Sequence, residues 1–426
     1  MPGINRDGLI KVGLVGAGFM GKALALQIVS SSPGIELAAI SNRHPKEALE
    51  AYSAAGVSGV VAAGSTAKLE DAISYHRPVV TDDFRLLCRA GNIDVIVEAT
   101  GSVEFGAIVA LEAIGNGKHF ITMSSELDGT LGPILRVHSS KAGVVMSGMD
   151  GDQPGVIMNL YRYVRCIGAE PVLCGNIKGF HDRYRNPTTQ EGFARRWGQD
   201  PRMVTSFADG TKVSFEQAVV ANATSMRVWE RGMMGPVVPV GTPIREAIYR
   251  YPLEEISEAG GGVVDYVVGA DPAPGVFVVG AYRHSMQRKY LEYYKMGTGP
   301  FYCYYVPYHL CHFEVPFTIM RAVLFSDASV GSIGPFVDVV TAAKLDLKSG
   351  EVLDGIGGYK TFGVCENYTE ARSENLLPIG LVAGCRLRND VKRDQILTYA
   401  DVEVPLGRSC DRLRAEQDVY FSGERR

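Results

Sequence analysis

The chain predicts an α/β protein in three parts, and three observations carry that expectation. Residues 11–21 read KVGLVGAGFMG, an apolar strand running straight into a glycine-rich turn and then into an Ala/Leu-rich helical stretch. Through about residue 150, apolar strand-like segments alternate with amphipathic helical ones, the pattern of a parallel sheet whose strands are buried on both faces. Beyond residue 155 the strands become rich in Val, Tyr and Phe, and from about residue 331 short strand-like segments lie between Pro/Gly turn signals. The expected domains are 1–154, a parallel α/β domain; 155–330, an α+β domain; and 331–426, a small β-rich module with a tail.

The first domain starts with strand 11–15 and a helix from Gly21. The turn between them carries Gly16-x-Gly18-x-x-Gly21, with Phe19 and Met20 inside it. Gly16 permits the tight turn, Gly18 lets backbone approach a pyrophosphate without a Cβ in the way, and Gly21 lets helix and strand pack closely. Free amides and the helix dipole then face the anion, which makes this a Rossmann-type dinucleotide site. After Pro33-Gly34, strand 36–40 ends in Ser41, Asn42 and Arg43. An NAD site usually places an acid there for the ribose 2′-hydroxyl, whereas a hydroxyl, an amide and a guanidinium suit a 2′-phosphate, so NADP(H) is favoured over NAD(H). A helix at 45–55 and an insertion over 52–81 follow. Strand 93–99 ends in Ala99, Thr100 and Gly101, and strand 118–123 leads to Ser124, Ser125 and Glu126. Ligands in open parallel sheets sit at the carboxyl ends of strands, which puts these residues at the nicotinamide end.

With 426 residues, 46% hydrophobic and 21% charged, the chain has an ordinary globular composition. A net charge of −4 and the absence of a basic run argue against a nucleic-acid binder. No apolar stretch reaches bilayer length and the N-terminus lacks a leader pattern, so a cytoplasmic location is expected. The eight cysteines form no CxxC pair, which supports neither a disulfide framework nor a structural zinc site.

Reactive groups are expected from the second domain, which opens with a helix at 156–167 and a strand at 171–179. Lys178, at the end of that strand, can donate a proton to a carbonyl oxygen while its charge stabilises the developing alkoxide. Arg183 and Arg185 can hold an anionic group, with Asn186 beside them. His309, within Tyr304 to Glu314, can orient a substrate oxygen or exchange a proton. Cys303, Cys311 and His312 match no metal-site spacing, and no residue is assigned to a metal. Asp150 and Asp152 can meet a substrate hydroxyl or a divalent ion, or cap the helix after Pro154. The residues alone also leave open that Lys178 is a solvated loop lysine and His309 a structural one.

Longer motifs then carry a resemblance: VGLVGAGFMG, IDVIVEATG, GNGKHFITM, the Lys178 loop, FADGTK followed by VVANAT, GGVVDYVVG, PGVFVV, GTGPFY, PYHL-x-x-x-EVP, LPIGLV and ILTYADVEVP. The chain resembles the homoserine dehydrogenase-like oxidoreductases with a C-terminal SAF-type module, the group containing 1-deoxy-D-xylulose 5-phosphate reductoisomerase-like proteins. The resemblance implies an NADP(H)-dependent reductase or reductoisomerase with a catalytic and dimerising α+β domain and a terminal SAF-like module. Lys178 matches a lysine of the family's active-site loop, and His309 lies in its PYHL segment. The expected activity is hydride exchange between NADP(H) and a polyhydroxylated carbonyl compound such as a sugar, sugar acid or sugar phosphate. Lys178 would be the proton donor, His309 and Glu126 would orient substrate, and the enzyme would be a homodimer. The alternatives are an isomerase or epimerase that recycles a tightly held nicotinamide, and a dinucleotide-binding protein without turnover. Neither the substrate nor a divalent metal requirement can be read from the residues.

Overall fold

A computed structural model describes residues 8–31 and 34–423; the first residues of the N-terminus and Pro33 lie outside them. The chain forms two compact units that do not follow chain order. The first holds residues up to Asp152, Leu310–Gly331 and the segment from Gly407; the second holds Gln153–His309 and Ser332–Leu406.

The first unit is built on seven strands: β1 (Ile10–Val15), β2 (Ile35–Ser41), β3 (Val61–Ala62), β4 (Val79–Thr81), β5 (Val95–Glu98), β6 (His119–Thr122) and β7 (Met146–Gly148). They pair in the order β3-β4-β2-β1-β5-β6-β7, every pair parallel. The stretch 52–81, expected as an insertion, supplies β3, helix Thr66–Ser74 and β4, and helix Phe84–Arg89 follows it. All six residues of β1 are buried, as a central parallel strand requires. Leu14, Ile40, Val97 and Ile121 from the sheet pack with Leu24 and Ile28 and with Val315 and Ile319 of helix Val315–Phe325. From β1 the chain goes out to β2 on one side and returns to β5 on the other, so the carboxyl ends of β1 and β5 flank the topological switch point, where such sheets open a crevice. Helix Ser409–Phe421 belongs to this unit and packs on helices Ser125–Lys141 and Val103–Gly115.

The second unit has a five-stranded sheet: β8 (Glu170–Lys178), β9 (Val237–Pro243), β10 (Val263–Asp271), β11 (Gly275–Ala281) and β12 (Phe301–Val306), ordered β12-β11-β8-β10-β9. β8, β10 and β9 run parallel, while β11 is antiparallel to both β8 and β12. Strand β8 is central, and Gly175 within it lies over the Phe277 ring, which a Cβ would meet at 2.6 Å. Helices Gln153–Cys166 and Thr211–Thr224 pack against β8. Residues from Val337 on add β13 (Val337–Ala343) and β14 (Thr361–Asn367), an antiparallel pair, and the short pair β15 (Arg386–Leu387) and β16 (Val402–Glu403). Among the described residues no helix is long and apolar enough to cross a membrane.

Candidate functional site

In the first unit the glycine turn is built for an anion. Gly16 has φ +104°, and a Cβ there would meet the carbonyl oxygen of Ala99 at 2.8 Å. A Cβ on Gly21 would overlap the Gly16 carbonyl oxygen, so helix Phe19–Ser31 can start against the turn only because Gly21 has no side chain. At Gly18 a Cβ would meet no protein atom within 4 Å; the space before it is open. The first turn of the helix offers amides that have no intrahelical acceptor.

A cavity of about 880 Å³ runs from this turn along the ends of β1, β2 and β5. Of the cofactor residues expected from sequence, Gly16, Gly18, Ser41, Asn42, Arg43, Ala99 and Thr100 line it. Phe19, Met20, Gly21, Gly101 and Ser124 are not in its lining. Ser124 instead caps helix Ser125–Lys141, its hydroxyl accepting from the Leu127 amide at 3.1 Å. The Asn42 amide has three fixed partners: its Oδ1 accepts from the Ala17 amide (3.0 Å), and its Nδ2 donates to Glu47 Oε2 (2.7 Å) and to the His44 carbonyl oxygen (3.1 Å). Asn42 therefore ties the glycine turn to the end of β2. Arg43 is exposed at the cavity wall. Sequence reasoning missed Glu47, Asp82, Asp83, Arg85 and Phe105, which also line the cavity. The acids soften the expectation of an acid-free edge, although Glu47 Oε2 is held by Asn42 and Asp83 accepts from the Arg85 amide as a helix cap.

The turn after β5 is held from below by Glu98, a fully buried carboxyl. It accepts from the Thr100 amide (2.7 Å), the Thr100 hydroxyl and the Thr122 hydroxyl (2.7 Å). Burial pushes its ionisation upward, against the lowering effect of those hydrogen bonds. Glu126 is buried in the first turn of helix Ser125–Lys141 and accepts from the Ser124 hydroxyl at 3.2 Å. Asp150 is buried with its carboxylate engaged by Thr318 (2.9 Å), Arg321 (3.2 Å) and Ser329. Those donors anchor Asp150 within the first unit. Asp152 is half-buried and accepts from the Cys311 thiol.

In the second unit Lys178 is the last residue of β8, half-buried, its ammonium donating to the Phe207 carbonyl at 2.9 Å. Side chains two apart on a strand share a face, so Lys178 lies on the side of Asn176. Asn176 is fully buried, donating to Glu216 at 2.6 Å and accepting from Gln217 at 2.9 Å. Desolvation pulls the Lys178 ammonium below the ordinary lysine range, against the attraction of Glu216 and Asp209. His181 follows three residues later in the loop, its ring 5.2 Å from that of Tyr266. Burial first, then the charges of Lys178 and Arg183, push His181 down to about 4, which leaves a neutral imidazole at physiological pH. Neither His181 nor Glu216 was expected from sequence to have a role.

Arg183 stacks over Phe362 and Arg185 over Phe180, and Arg185 pairs with Asp182 at 3.0 Å. Asn186 is the N-cap of helix Pro187–Trp197 in a reciprocal box with Thr189. That helix-capping bond engages its side-chain oxygen, which accepts from the Thr189 amide at 3.1 Å. His309 is half-buried beyond the end of β12, its Nδ1 buried without a hydrogen-bond partner, and no described hydrogen bond or ion pair joins it to Lys178. Among the described residues no group of three or more His, Cys, Asp or Glu side chains is placed to hold a metal ion.

Residues 16–144 match the family model for the homoserine dehydrogenase NAD-binding domain, and residues 151–315 match that for the catalytic domain of oxidoreductase DRL. No curated protein matches the chain. Solved structures similar to it include a probable dehydrogenase from Thermotoga maritima, at 14% identity over 64% of this chain and 72% of that one, with a TM-score of 0.37. Scyllo-inositol dehydrogenase from Lactobacillus casei with bound NAD(H) and scyllo-inositol is similar at 14% identity over 65% and 66%, TM-score 0.33. The apo form of scyllo-inositol dehydrogenase from the same organism aligns at 17% identity over 44% of this chain, TM-score 0.30, and the chain spans only 48% of its length.

Proposed function

We propose that this NAD(P)-dependent oxidoreductase uses NADP(H) to reduce or form a polyhydroxylated carbonyl compound, a sugar, sugar acid or sugar phosphate, with Lys178 as the proton donor. The observation that carries the reading is a desolvated ammonium at the end of a central strand, followed three residues later by a neutral imidazole, inside the segment that matches an oxidoreductase catalytic domain. The turn at Gly16, Gly18 and Gly21 and the cavity it opens fit a dinucleotide; Arg43 would hold a 2′-phosphate and Thr100 the nicotinamide end. When bound, the nicotinamide supplies or accepts the hydride.

In the reductive direction Lys178 gives its proton to the carbonyl oxygen as that oxygen gains charge, becomes a neutral amine, and regains a proton from water. Removal of the ammonium from water strengthens its pull on the developing oxyanion. His181, neutral, orients a substrate hydroxyl without adding charge, and Arg183 and Arg185 attract an anionic substituent. The family resemblance supports rearrangement of an α-hydroxy ketone before hydride transfer, a role for His309 and Glu126 in orienting substrate, a homodimer formed through the second unit, and a SAF-like identity for the terminal module.

The experiment is a panel of ketoses, sugar acids and sugar phosphates, headed by 1-deoxy-D-xylulose 5-phosphate, with NADPH consumption followed by absorbance. Turnover on at least one member is expected. NADPH binding without turnover on any would reject the reading.

Two further outcomes follow from the site. Arg43→Ala is expected to weaken NADPH binding about 10- to 100-fold, the worth of one charge-assisted contact, while NADH affinity changes less than about threefold. Titration calorimetry with each dinucleotide checks it. The pH profile also has a predicted sign. Lys178 donates only when protonated, and burial lowers its ionisation below the ordinary value of about 10.4. The reductive rate is therefore lost as pH rises through that lowered value, and the basic limb of kcat lies below an ordinary lysine's.

A further inference from the structure

We propose that the buried pair Asp209–Lys344 is a positioning device through which the terminal β module holds the Lys178 loop in its working shape. The inference rests on the reading of that loop as catalytic and adds to it residues from a different part of the chain.

Lys344 directly follows β13 and is buried, and its ammonium makes three contacts. It pairs with Asp209 at 2.8 Å and donates to the carbonyl oxygens of Arg185 at 2.7 Å and Gly358 at 2.8 Å. One ion pair and two hydrogen bonds thus engage the ammonium. Each acceptor belongs to a different segment: the loop after β8, the turn before helix Thr211–Thr224, and the strand-connecting loop of the module.

Asp209 extends the link toward the reacting group. It accepts from the Thr211 amide at 2.9 Å. Gly210, next to it, has φ +88°, and a Cβ there would meet His181 Nε2 at 2.7 Å. The imidazole thus lies directly on the backbone that Lys344 fixes, while the Asp209 charge acts on Lys178. Around this centre the module grips the same loop at its rim: the Tyr184 hydroxyl donates to Asp394 at 2.9 Å, Arg393 stacks 3.7 Å above the Tyr184 ring, and Thr188 meets Tyr359 at 2.9 Å.

A buried ion pair is a poor way to gain stability, since desolvation offsets much of the attraction and apolar residues of similar volume serve as well or better. What an apolar pair cannot do is hold the Arg185 carbonyl. This difference separates a positioning role from a merely stabilising one.

The test compares the native full-length protein with the double variant Asp209→Leu/Lys344→Met, which removes the pair without leaving a buried charge. Two readouts are taken, neither needing substrate. The first is amide hydrogen exchange over residues 182–186, where the Asp182 and Arg185 amides are hydrogen-bonded to carbonyls in the native fold. The second is the carbon resonance of isotopically dimethylated Lys178, assigned by its loss in Lys178→Arg. With the fold retained, exchange in the loop is expected to speed up at least tenfold, with exchange in β1 unchanged, and the Lys178 resonance to move. Native-like exchange in the loop, or an unmoved resonance, would overturn the proposal. Should the double variant not fold, Lys344→Arg decides, because a planar fork cannot reach three acceptors arranged about a single nitrogen. Loop exchange at least threefold faster supports the proposal, and unchanged exchange overturns it. Whether Lys178 is the proton donor is decided separately, by turnover of Lys178→Ala.

Discussion

Replacing Lys178 with alanine is expected to lower kcat by about 10³- to 10⁴-fold, the combined loss of a positioned acid and of charge stabilisation at the oxyanion, with dinucleotide affinity unchanged within about twofold. The two effects separate because the glycine turn and the cavity that fits the dinucleotide are built wholly from the first unit, whereas Lys178 belongs to the second. The fold should survive. Lys178 sits at the last position of β8, is half-buried, and gives one hydrogen bond, to the Phe207 carbonyl. Steady-state kinetics on the substrate found by the panel, together with NADPH titration, check both halves. An alanine variant with more than about a tenth of native kcat would leave the proton to another group, since loss of a general acid alone costs about 10²-fold.

Gly18→Asp is expected to abolish dinucleotide binding, by about 100-fold or more, without unfolding the protein, because it places a side chain and a negative charge where a pyrophosphate must approach. The structure makes this variant more informative than its neighbours. A Cβ on Gly18 meets nothing, so the backbone accepts it, whereas one on Gly16 or Gly21 strikes the backbone itself and would confound lost binding with lost fold. Thermal unfolding within a few degrees of native, with no detectable NADPH binding, is the predicted pair of results. Native-like affinity would show that the dinucleotide does not lie against this turn.

What could be read from sequence was local. The glycine turn, the all-apolar strands and the polar ends of β2 and β5 are short contiguous stretches whose residue types follow directly from backbone geometry and two-faced burial, and the parallel sheet follows from them. Lys178 was visible for the same reason, as a cation ending a strand between glycines. Residues that reach the cavity from other elements were not visible: Glu47 comes from the helix after β2, and Asp82, Asp83 and Arg85 from the turn after β4 and the start of helix Phe84–Arg89, just beyond the stretch 52–81 expected as an insertion. Asn186 was readable in principle, since Asn followed by Pro and then Thr three positions on is a helix-start signal, yet its place among arginines suggested a ligand instead. Asp150 had no such signal, because its partners Thr318, Arg321 and Ser329 return to the first unit from much later in the chain. The Asp209–Lys344 pair was hidden for the same physical reason: a buried charge is recognisable only with its partner, and the partner is a matter of topology.

The most direct measurement of the central claim is isotope transfer. Native protein is incubated with NADPH deuterated at the nicotinamide C4 and the carbonyl substrate that the panel identifies, and the product is analysed by mass spectrometry. The account predicts deuterium bound to product carbon in the native enzyme, and deuterated product formed about 10³- to 10⁴-fold more slowly in Lys178→Ala although that variant still binds NADPH. Product formed by the native enzyme without deuterium, or deuterium transfer undiminished in the alanine variant, would contradict it.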